Sequence, residues 1–275
     1  MSLNFSKLSK SPKNFLHLTG VSIKEFGELV ERIKPDWELI REAKKCDGRT
    51  SQLPTIEDQI LCTLLYYRTY NSQEFLGFLF DLHESNVCRL LKKIEPLMAK
   101  KITIVKDRSL TPEKIMKLIT DATEIKIQRP KSGQKKFYSG KKKTHTIKSE
   151  MTMSEDGKII AVSKCYSGKV HDFTIKAEQK PLPRDCEKYG DLGYQGWQKL
   201  ASNVILPIKK KKNQPLTKEE KLYNKALASF RVKVEHKFRE LKIFRILSGT
   251  YRNFRKKLHM RLNIIAGIVN LKHAF

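Results

Sequence analysis

The sequence predicts an all-α N-terminal part followed by a mixed α/β domain. Before about residue 100, apolar residues recur at helical spacing, and capping residues stand at the starts of the segments. Beyond that point β-rich segments alternate with helical ones, which is typical of a sheet flanked by helices. The charged segment 101–117 indicates a linker between the two parts. We therefore divide the chain into a helical domain over 1–105 and an α/β domain over 106–275.

Three short helices in succession follow Thr55. Thr55 is expected to cap the first helix, with Asp58 at the capping-box offset. After a second helix and a tight connection, Ser85 is expected to cap a third helix with several basic residues. This arrangement predicts a helix-turn-helix at about residues 55–95, although a small helical bundle would give the same pattern. Upstream, Pro35 is expected to separate short helices.

The second domain begins with strand-like segments and ends with long helices. A hairpin turn at residues 155–157 separates two β-rich segments, and a capping-box pair at Thr217 and Glu220 opens a long helix. The expected strands cover 144–153, 159–162 and 204–206, and the expected helices cover 174–179, 217–241 and about 254–273.

The charge of the chain indicates a polyanionic partner. The sequence has 56 Lys and Arg residues against 29 Asp and Glu residues, a formal net charge of +27. Such an excess attracts nucleic acid with an affinity that falls steeply as salt rises. Composition by itself leaves open a ribosomal-type protein or a basic enzyme without a nucleic-acid substrate.

Several compartments are disfavoured by the sequence. No stretch approaches the roughly 18 apolar residues that a membrane-spanning helix needs, and the N-terminus lacks the apolar run of a signal peptide. The five cysteines are odd in number and have no C-x-x-C spacing, which indicates neither a disulfide framework nor structural zinc. We expect a cytoplasmic, nucleoid-associated protein without membrane contact.

Three acidic residues stand where metal ligands are expected. Asp121 comes at the expected end of an apolar strand, Asp191 precedes a turn at Gly193-Tyr194, and Glu235 lies inside the long helix. Carboxylate oxygens are the ligands that Mg²⁺ prefers. Taken singly, each acid is equally well explained as a solvated surface residue or a helix cap.

The strings around these acids form an ordered set of motifs. They are 121–124 and Arg129-Pro130, then 138–148, then Gly168 and His171-Asp172, then 190–196, and finally Asn224 and 231–235. In this order they closely resemble the DDE transposases of bacterial insertion sequences, in particular the insertion-sequence-five group and its Harbinger-like relatives. The resemblance covers about residues 50–275.

This resemblance implies an RNase H-like fold for the α/β domain. It also implies that Asp121, Asp191 and Glu235 form a catalytic, metal-binding triad for two Mg²⁺ ions, for which Mn²⁺ would substitute. The implied activity is metal-dependent cleavage of transposon ends and strand transfer into target DNA. Because transposition pairs two ends, the implied partners are double-stranded DNA and a second copy of the chain, as a homodimer on DNA.

The resemblance also indicates which residues bind DNA. A family signature fits Arg231, Glu235 and Lys242, although Ala228 stands where the related group often has Tyr, and Arg239 where many relatives have Gly. The expected DNA-binding residues are Ser85, Asn86, Arg89, Lys141, Lys142, Lys143, Arg231 and Lys242, and the expected supporting residues of the metal site are Glu124, His171 and Asp172.

The sequence leaves undecided the roles of three aromatic residues and the choice between the transposase and two alternative functions. The aromatic rings of Tyr138, Tyr194 and Trp197 would suit either stacking on unpaired bases or core packing. A non-catalytic DNA-binding regulator would need the same helix-turn-helix and basic charge. An RNase H-like nuclease that cuts without joining would need the same acids.

Overall fold

A computed structural model describes residues 2–43, 51–104 and 117–271 of the 275-residue chain. Its helices are α1 (Phe5–Leu8), α2 (Pro12–Thr19), α3 (Ile23–Glu42), α4 (Ile56–Thr69), α5 (Gln73–Phe80), α6 (Glu84–Ile102), α7 (Gln134–Phe137), α8 (Asp172–Ala177), α9 (Lys218–Lys242), α10 (Arg245–Ser248) and α11 (Leu258–Leu271). Its strands are β1 (Lys117–Lys126), β2 (Tyr138–Ser139), β3 (Thr144–Ser154), β4 (Ile159–Val162), β5 (Tyr166–Ser167), β6 (Glu187–Tyr189) and β7 (Val204–Ile205).

The chain folds into two compact units. The first contains the residues up to Thr103, the segment Leu241–Gly249 and the chain from Phe254 onward; the second contains Ile104–Glu240 and Thr250–Asn253. Two C-terminal segments thus pack with the N-terminal helices. Most of the linker expected over 101–117, the final residues of the helix expected to reach 273 and Cys46 lie outside the described residues. Across the described ranges, none of the helices combines the length and the apolar character that crossing a bilayer requires.

The first unit is all-α, and its helix starts show where the sequence signals hold. Thr55 caps α4 by accepting a hydrogen bond from the Asp58 backbone at 3.2 Å, as predicted. The cap of α6 is His83 rather than Ser85, because the His83 ring reaches the Ser85 backbone and Ser85 already lies in the first turn. The helix-turn-helix is therefore formed by α5 and α6, with α4 packed beside them.

Pro35 does not separate two helices, contrary to the expectation. It lies inside α3, which runs without a break over 20 residues. Proline removes one backbone hydrogen bond and strains a helix interior. In α3 this cost is offset by packing, since Ile33 and Trp37 on either side of Pro35 are buried.

The second unit contains a mixed sheet, as the sequence predicts. Strand β1 is central: it pairs antiparallel with β3 and parallel with β6, which in turn pairs parallel with β7. Strands β2, β4 and β5 all pair antiparallel with β3. The expected hairpin joins β3 to β4, and α9 begins with the expected capping box, in which Thr217 and Glu220 exchange hydrogen bonds of 2.8 and 3.1 Å.

Tyr194 and Trp197, for which base stacking and core packing were both open, lie in the core of this unit. Tyr194 and Trp197 are 0% and 2% exposed, and they pack with apolar residues from β1, β4 and the segment around β7. Their rings are therefore part of the core rather than stacking platforms for bases. Tyr138, by contrast, is 45% exposed.

Candidate active site

Two of the three expected acids lie close together, one on a strand and the other just after the neighbouring strand. Asp121 is in the middle of β1, not at its end as expected, since β1 continues through Lys126. Strand β6 runs parallel to β1 with Ile119 opposite Tyr189, so Asp191, two residues after Tyr189, comes level with Asp121. The strand register therefore brings Asp121 and Asp191 to one place.

A third acid, Asp172, shares this space. Asp191 begins a 3-10 turn and accepts a hydrogen bond of 2.8 Å from the Gly193 backbone. A Cβ atom added at Gly193 would lie 2.8 Å from Oδ2 of Asp172 and 2.9 Å from Oδ1 of Asp191. The carboxylates of Asp172 and Asp191 thus face the same small space, which exists because residue 193 has no side chain. We call Asp121, Asp172 and Asp191 the carboxylate cluster.

Burial and charge act in opposite directions on Asp121. The pKa of Asp121 is raised to about 6: burial is the main cause, the charge of Arg231 opposes it, and the negative charges of Asp191 and Asp172 add to the rise. Nη2 of Arg231 lies 3.5 Å from Oδ2 of Asp121. Negative charges held together away from water favour a nearby cation. In this structure the guanidinium of Arg231 is that cation.

Lys148 ties two of the expected supporting residues to the cluster. Its ammonium lies 3.0 Å from Oδ1 of Asp172 and 3.8 Å from Oε1 of Glu124. Glu124 also accepts a hydrogen bond of 2.8 Å from the Thr146 hydroxyl. His171 is the exposed N-cap of α8, where its ring accepts a bond from the Phe173 backbone. Lys148 thus links Glu124 to Asp172 of the carboxylate cluster, whereas His171 caps the start of α8.

The structure contains a buried ion pair near the cluster that the sequence analysis did not predict. Lys176 on α8 lies 2.9 Å from Glu150 on β3, and both side chains are at most 5% exposed. Burial raises the pKa of Glu150 and lowers that of Lys176, and each charge partly opposes the shift of the other. The Lys176 ammonium also lies 4.5 Å from the Trp197 ring centroid. The one sequence feature that could have indicated this pair is the acidic Glu150 within the apolar, β-rich segment 144–153.

The third expected acid, Glu235, is not part of the cluster. It is exposed on α9, one turn after Arg231 and next to the buried Val234. The main charges that shift the pKa of Asp121 come from Arg231, Asp191 and Asp172 rather than from Glu235. Over the described ranges, no group of three or more His, Cys, Asp or Glu side chains is arranged to hold a metal ion.

The expected DNA-binding residues are mostly exposed. On α6, Asn86 and Arg89 are exposed and joined by a hydrogen bond of 2.9 Å, while Ser85 is half-buried. Asn86 and Arg89 line a groove of about 1270 Å³ in the first unit, together with Lys93. Lys141, Lys142 and Lys143 are exposed between β2 and β3, and Lys242 is exposed at the end of α9.

Known proteins resemble the chain along nearly its whole length. Residues 120–270 match the family described as DDE superfamily endonuclease, and residues 51–104 match the family described as helix-turn-helix of DDE superfamily endonuclease. A probable transposase for insertion sequence element IS702 of Microchaete diplosiphon is 37% identical over 267 residues, 95% of each chain. A putative transposase for insertion sequence element IS112 of Streptomyces albus G is 24% identical over 250 residues, 87% of each chain. No solved structure matches.

Proposed function

The chain belongs to the DDE superfamily endonucleases and is a transposase, and we propose that it cleaves the ends of its DNA element and joins them to target DNA. The family expected from the motif strings is confirmed by both family matches and by the relative that is 37% identical. The observation that best supports the chemistry is the proximity of Asp121 on β1 to Asp191, which directly follows the parallel strand β6.

The side chains of Asp121 and Asp191 are of the chemical type that binds a divalent metal ion. Their donors are hard carboxylate oxygens, the type that Mg²⁺ and Mn²⁺ bind. Asp121 is half-buried beside the like charges of Asp191 and Asp172, which a divalent cation would neutralise. We propose Asp121, Asp191 and Glu235 as the ligands of two Mg²⁺ ions, for which Mn²⁺ would substitute. Because Glu235 is exposed and outside the carboxylate cluster in this structure, the proposal requires its side chain to turn towards the two aspartates when the metal site is loaded. When bound, two such ions activate the attacking oxygen and stabilise the leaving oxygen of a phosphodiester.

Neighbouring groups hold the acids of the carboxylate cluster in place. Lys148 fixes the Asp172 carboxylate, and the Gly193 backbone fixes that of Asp191. Arg231 holds Asp121 in the present arrangement and lies on the same helix as Glu235, one turn away. We propose that the Arg231 side chain leaves Asp121 and binds a DNA phosphate when metal and DNA are bound, because guanidinium groups bind phosphate well.

We propose that the N-terminal and C-terminal parts of the chain have different functions. Residues 1–105 would recognise element ends through Ser85, Asn86 and Arg89, while residues 106–275 would form an RNase H-like catalytic domain. The central β1, with an antiparallel neighbour on one side and parallel strands on the other, supports this finer fold assignment. Lys141–Lys143, Arg231 and Lys242 would hold the backbone of double-stranded DNA.

We further propose a homodimer on DNA, because two ends must be paired before they are joined. Its site of action would be the DNA of the nucleoid. Light scattering of the complex with an end-containing duplex should give the mass of two protomers. A mass that corresponds to one protomer at saturating DNA would contradict the dimer.

Cleavage of DNA that contains the element ends tests the catalytic proposal. Asp121→Asn should lower cleavage by more than about 100-fold, since even residues behind a metal ligand typically contribute about 10- to 100-fold. End binding should be unchanged, because Asp121 is not proposed to contact bases. The matched control is Asp185→Asn, an exposed acid of the same unit, which should cleave like the natural chain.

The same assay distinguishes the other functions. Full activity of Asp121→Asn would remove Asp121 from the site. Binding without metal-dependent cleavage by the natural chain would indicate a regulator, and cleavage without joined products would indicate a nuclease that lacks strand transfer.

A further inference from the structure

We propose that a basic pocket in the second unit binds an unpaired base of the DNA together with its flanking phosphates. The pocket has a volume of about 670 Å³ and is lined by Arg129, Gln134, Lys135, Tyr138, Gly140, His145 and Lys169. We call it the Tyr138 pocket. The inference rests on the proposed action on DNA, but none of the lining residues belongs to the carboxylate cluster.

The aromatic wall of the pocket is held in place by the sheet. Tyr138 on β2 pairs across the ladder with His145 on β3. Their rings meet edge to face, with centroids 5.7 Å apart and an interplanar angle of 74°. The Ile127 backbone donates a hydrogen bond of 3.0 Å to the His145 carbonyl, which anchors this part of β3 to the end of β1. A side chain that is 45% exposed therefore stands on a fixed support.

The pocket is positively charged. Arg129, Lys135 and Lys169 supply three cations, and the residues that line the pocket include no acid. Nε of Arg129 donates a hydrogen bond of 3.0 Å to Oε1 of Gln134, so the guanidinium is oriented before any ligand arrives. Phosphate oxygens are the acceptors that such a group of cations suits.

Ring and cations together define the ligand. A planar side chain beside cations is the combination by which proteins hold unpaired nucleotides, with the ring stacked on a base and the cations on the backbone. A paired base cannot offer its face to Tyr138, because its neighbours in the duplex cover that face. The volume also lies within the range of about 300 to 1,000 Å³ that is usual for pockets that bind small molecules. The pocket thus fits a base displaced from the duplex.

Fluorescence provides a direct test with the full chain. The probe is a duplex with one unpaired 2-aminopurine, and the reference is the same duplex with that base paired. We expect the natural chain to prefer the unpaired probe and to change its fluorescence. Tyr138→Ala should weaken binding of the unpaired probe by about 5- to 150-fold, the range for loss of one base–aromatic stack, and leave the paired duplex unchanged.

Two aromatic variants serve as controls. Tyr138→Phe keeps the ring and should bind both duplexes like the natural chain. Tyr223→Ala removes a ring of similar exposure, 43%, from α9 of the same unit and should have no effect on the preference. A Tyr138→Ala chain that keeps the full preference, or a Tyr223→Ala chain that loses it equally, would overturn the proposal.

The Asp121→Asn chain separates this proposal from that of the catalytic site. It should retain the preference for the unpaired probe even though its cleavage is lost. If the natural chain shows no metal-dependent cleavage but its preference still depends on Tyr138, the catalytic proposal fails and the pocket stands. If cleavage is normal and the preference is absent, the pocket proposal fails alone.

Discussion

At the scale of single residues, the carboxylates of Asp172 and Asp191 can occupy their positions only because residue 193 has no side chain. Oxygens of Asp172 and Asp191 approach the position that a Cβ atom would occupy to 2.8 and 2.9 Å. A side chain at residue 193 would therefore displace one or both carboxylates. The effect would be local, because residue 193 lies in a short turn after β6.

We predict that Gly193→Ala lowers cleavage by about 10- to 100-fold, the usual effect of disturbing the surroundings of a metal ligand. Its melting temperature should change little, because the displaced groups are only partly buried. Initial rates of cleavage and thermal unfolding followed by circular dichroism give both values. Activity equal to that of the natural chain would show that the Asp172–Asp191 arrangement is not needed for the reaction.

A second single residue, Glu95, stabilises the first unit. Its side chain is 0% exposed; one oxygen lies 2.6 Å from Nε of Arg261 and the other 3.2 Å from Nζ of Lys257. The Tyr67 hydroxyl donates a further hydrogen bond of 3.3 Å. These contacts join α6 and α4 to the C-terminal segment of the same unit.

We predict that Glu95→Gln lowers the free energy of unfolding by about 3–5 kcal/mol, because it leaves the buried Arg261 without a counter-charge. Urea denaturation followed by circular dichroism measures the change. The control is Glu38→Gln, which removes the acid of the exposed Lys34–Glu38 pair in the same unit and should change stability by less than about 1 kcal/mol. Equal effects of the two variants would mean that burial of the pair contributes nothing.

At the scale of elements, α3 shows that a helix can exist despite weak local preferences. It contains both Gly27 and Pro35, yet Phe26, Leu29 and Ile33 are at most 1% exposed. These side chains of α3 are therefore packed in the core of the first unit. The Ser22–Glu25 capping box adds local support at its start.

We predict that Gly27→Ala stabilises α3 by about 0.5–1 kcal/mol, because glycine loses more backbone entropy in a helix than alanine does. A Cβ atom at residue 27 meets nothing within 4 Å, so no clash offsets the gain. The midpoint of urea unfolding should rise while DNA cleavage stays the same. A lower midpoint would show that the space beside residue 27 is needed by the fold.

At the scale of the whole molecule, charge decides how the chain meets DNA. The net charge of +27 includes three consecutive exposed lysines, Lys141–Lys143, in the second unit. Each phosphate contact that releases a counterion steepens the fall of affinity with salt by about 0.9 in a log–log plot. If net charge alone mattered, the salt dependence of DNA binding would not depend on where in the chain the lysines lie.

We predict that replacing Lys141, Lys142 and Lys143 with Ala lowers this slope by about 2–3, because three phosphate contacts are lost. Fluorescence anisotropy with one duplex at several salt concentrations measures the slope. The control replaces three scattered exposed lysines of the same unit, Lys164, Lys199 and Lys225. If both triple variants lower the slope equally, the effect reflects total charge and not a binding surface.

Much of the architecture is local in origin and was therefore predictable. The Thr55 cap, the Thr217–Glu220 box and the hairpin before β4 depend on residues a few positions apart, and the structure shows all three. One error was also local. The N-cap of α6 is His83 rather than Ser85, because α6 begins at Glu84 and the His83 ring accepts the backbone N–H of Ser85.

The sequence by itself determined the family and the order of the helical and mixed parts, and it singled out Asp121 and Asp191 as candidates, because these depend on local pattern and on motif order. Only the tertiary structure decided that Asp172 joins those two acids and that Glu235 stands apart. It also decided that Tyr138 is exposed while Tyr194 is buried. These outcomes depend on the register of β1 with β6 and on the packing of α8 and α9, which arise from contacts between residues far apart in the chain.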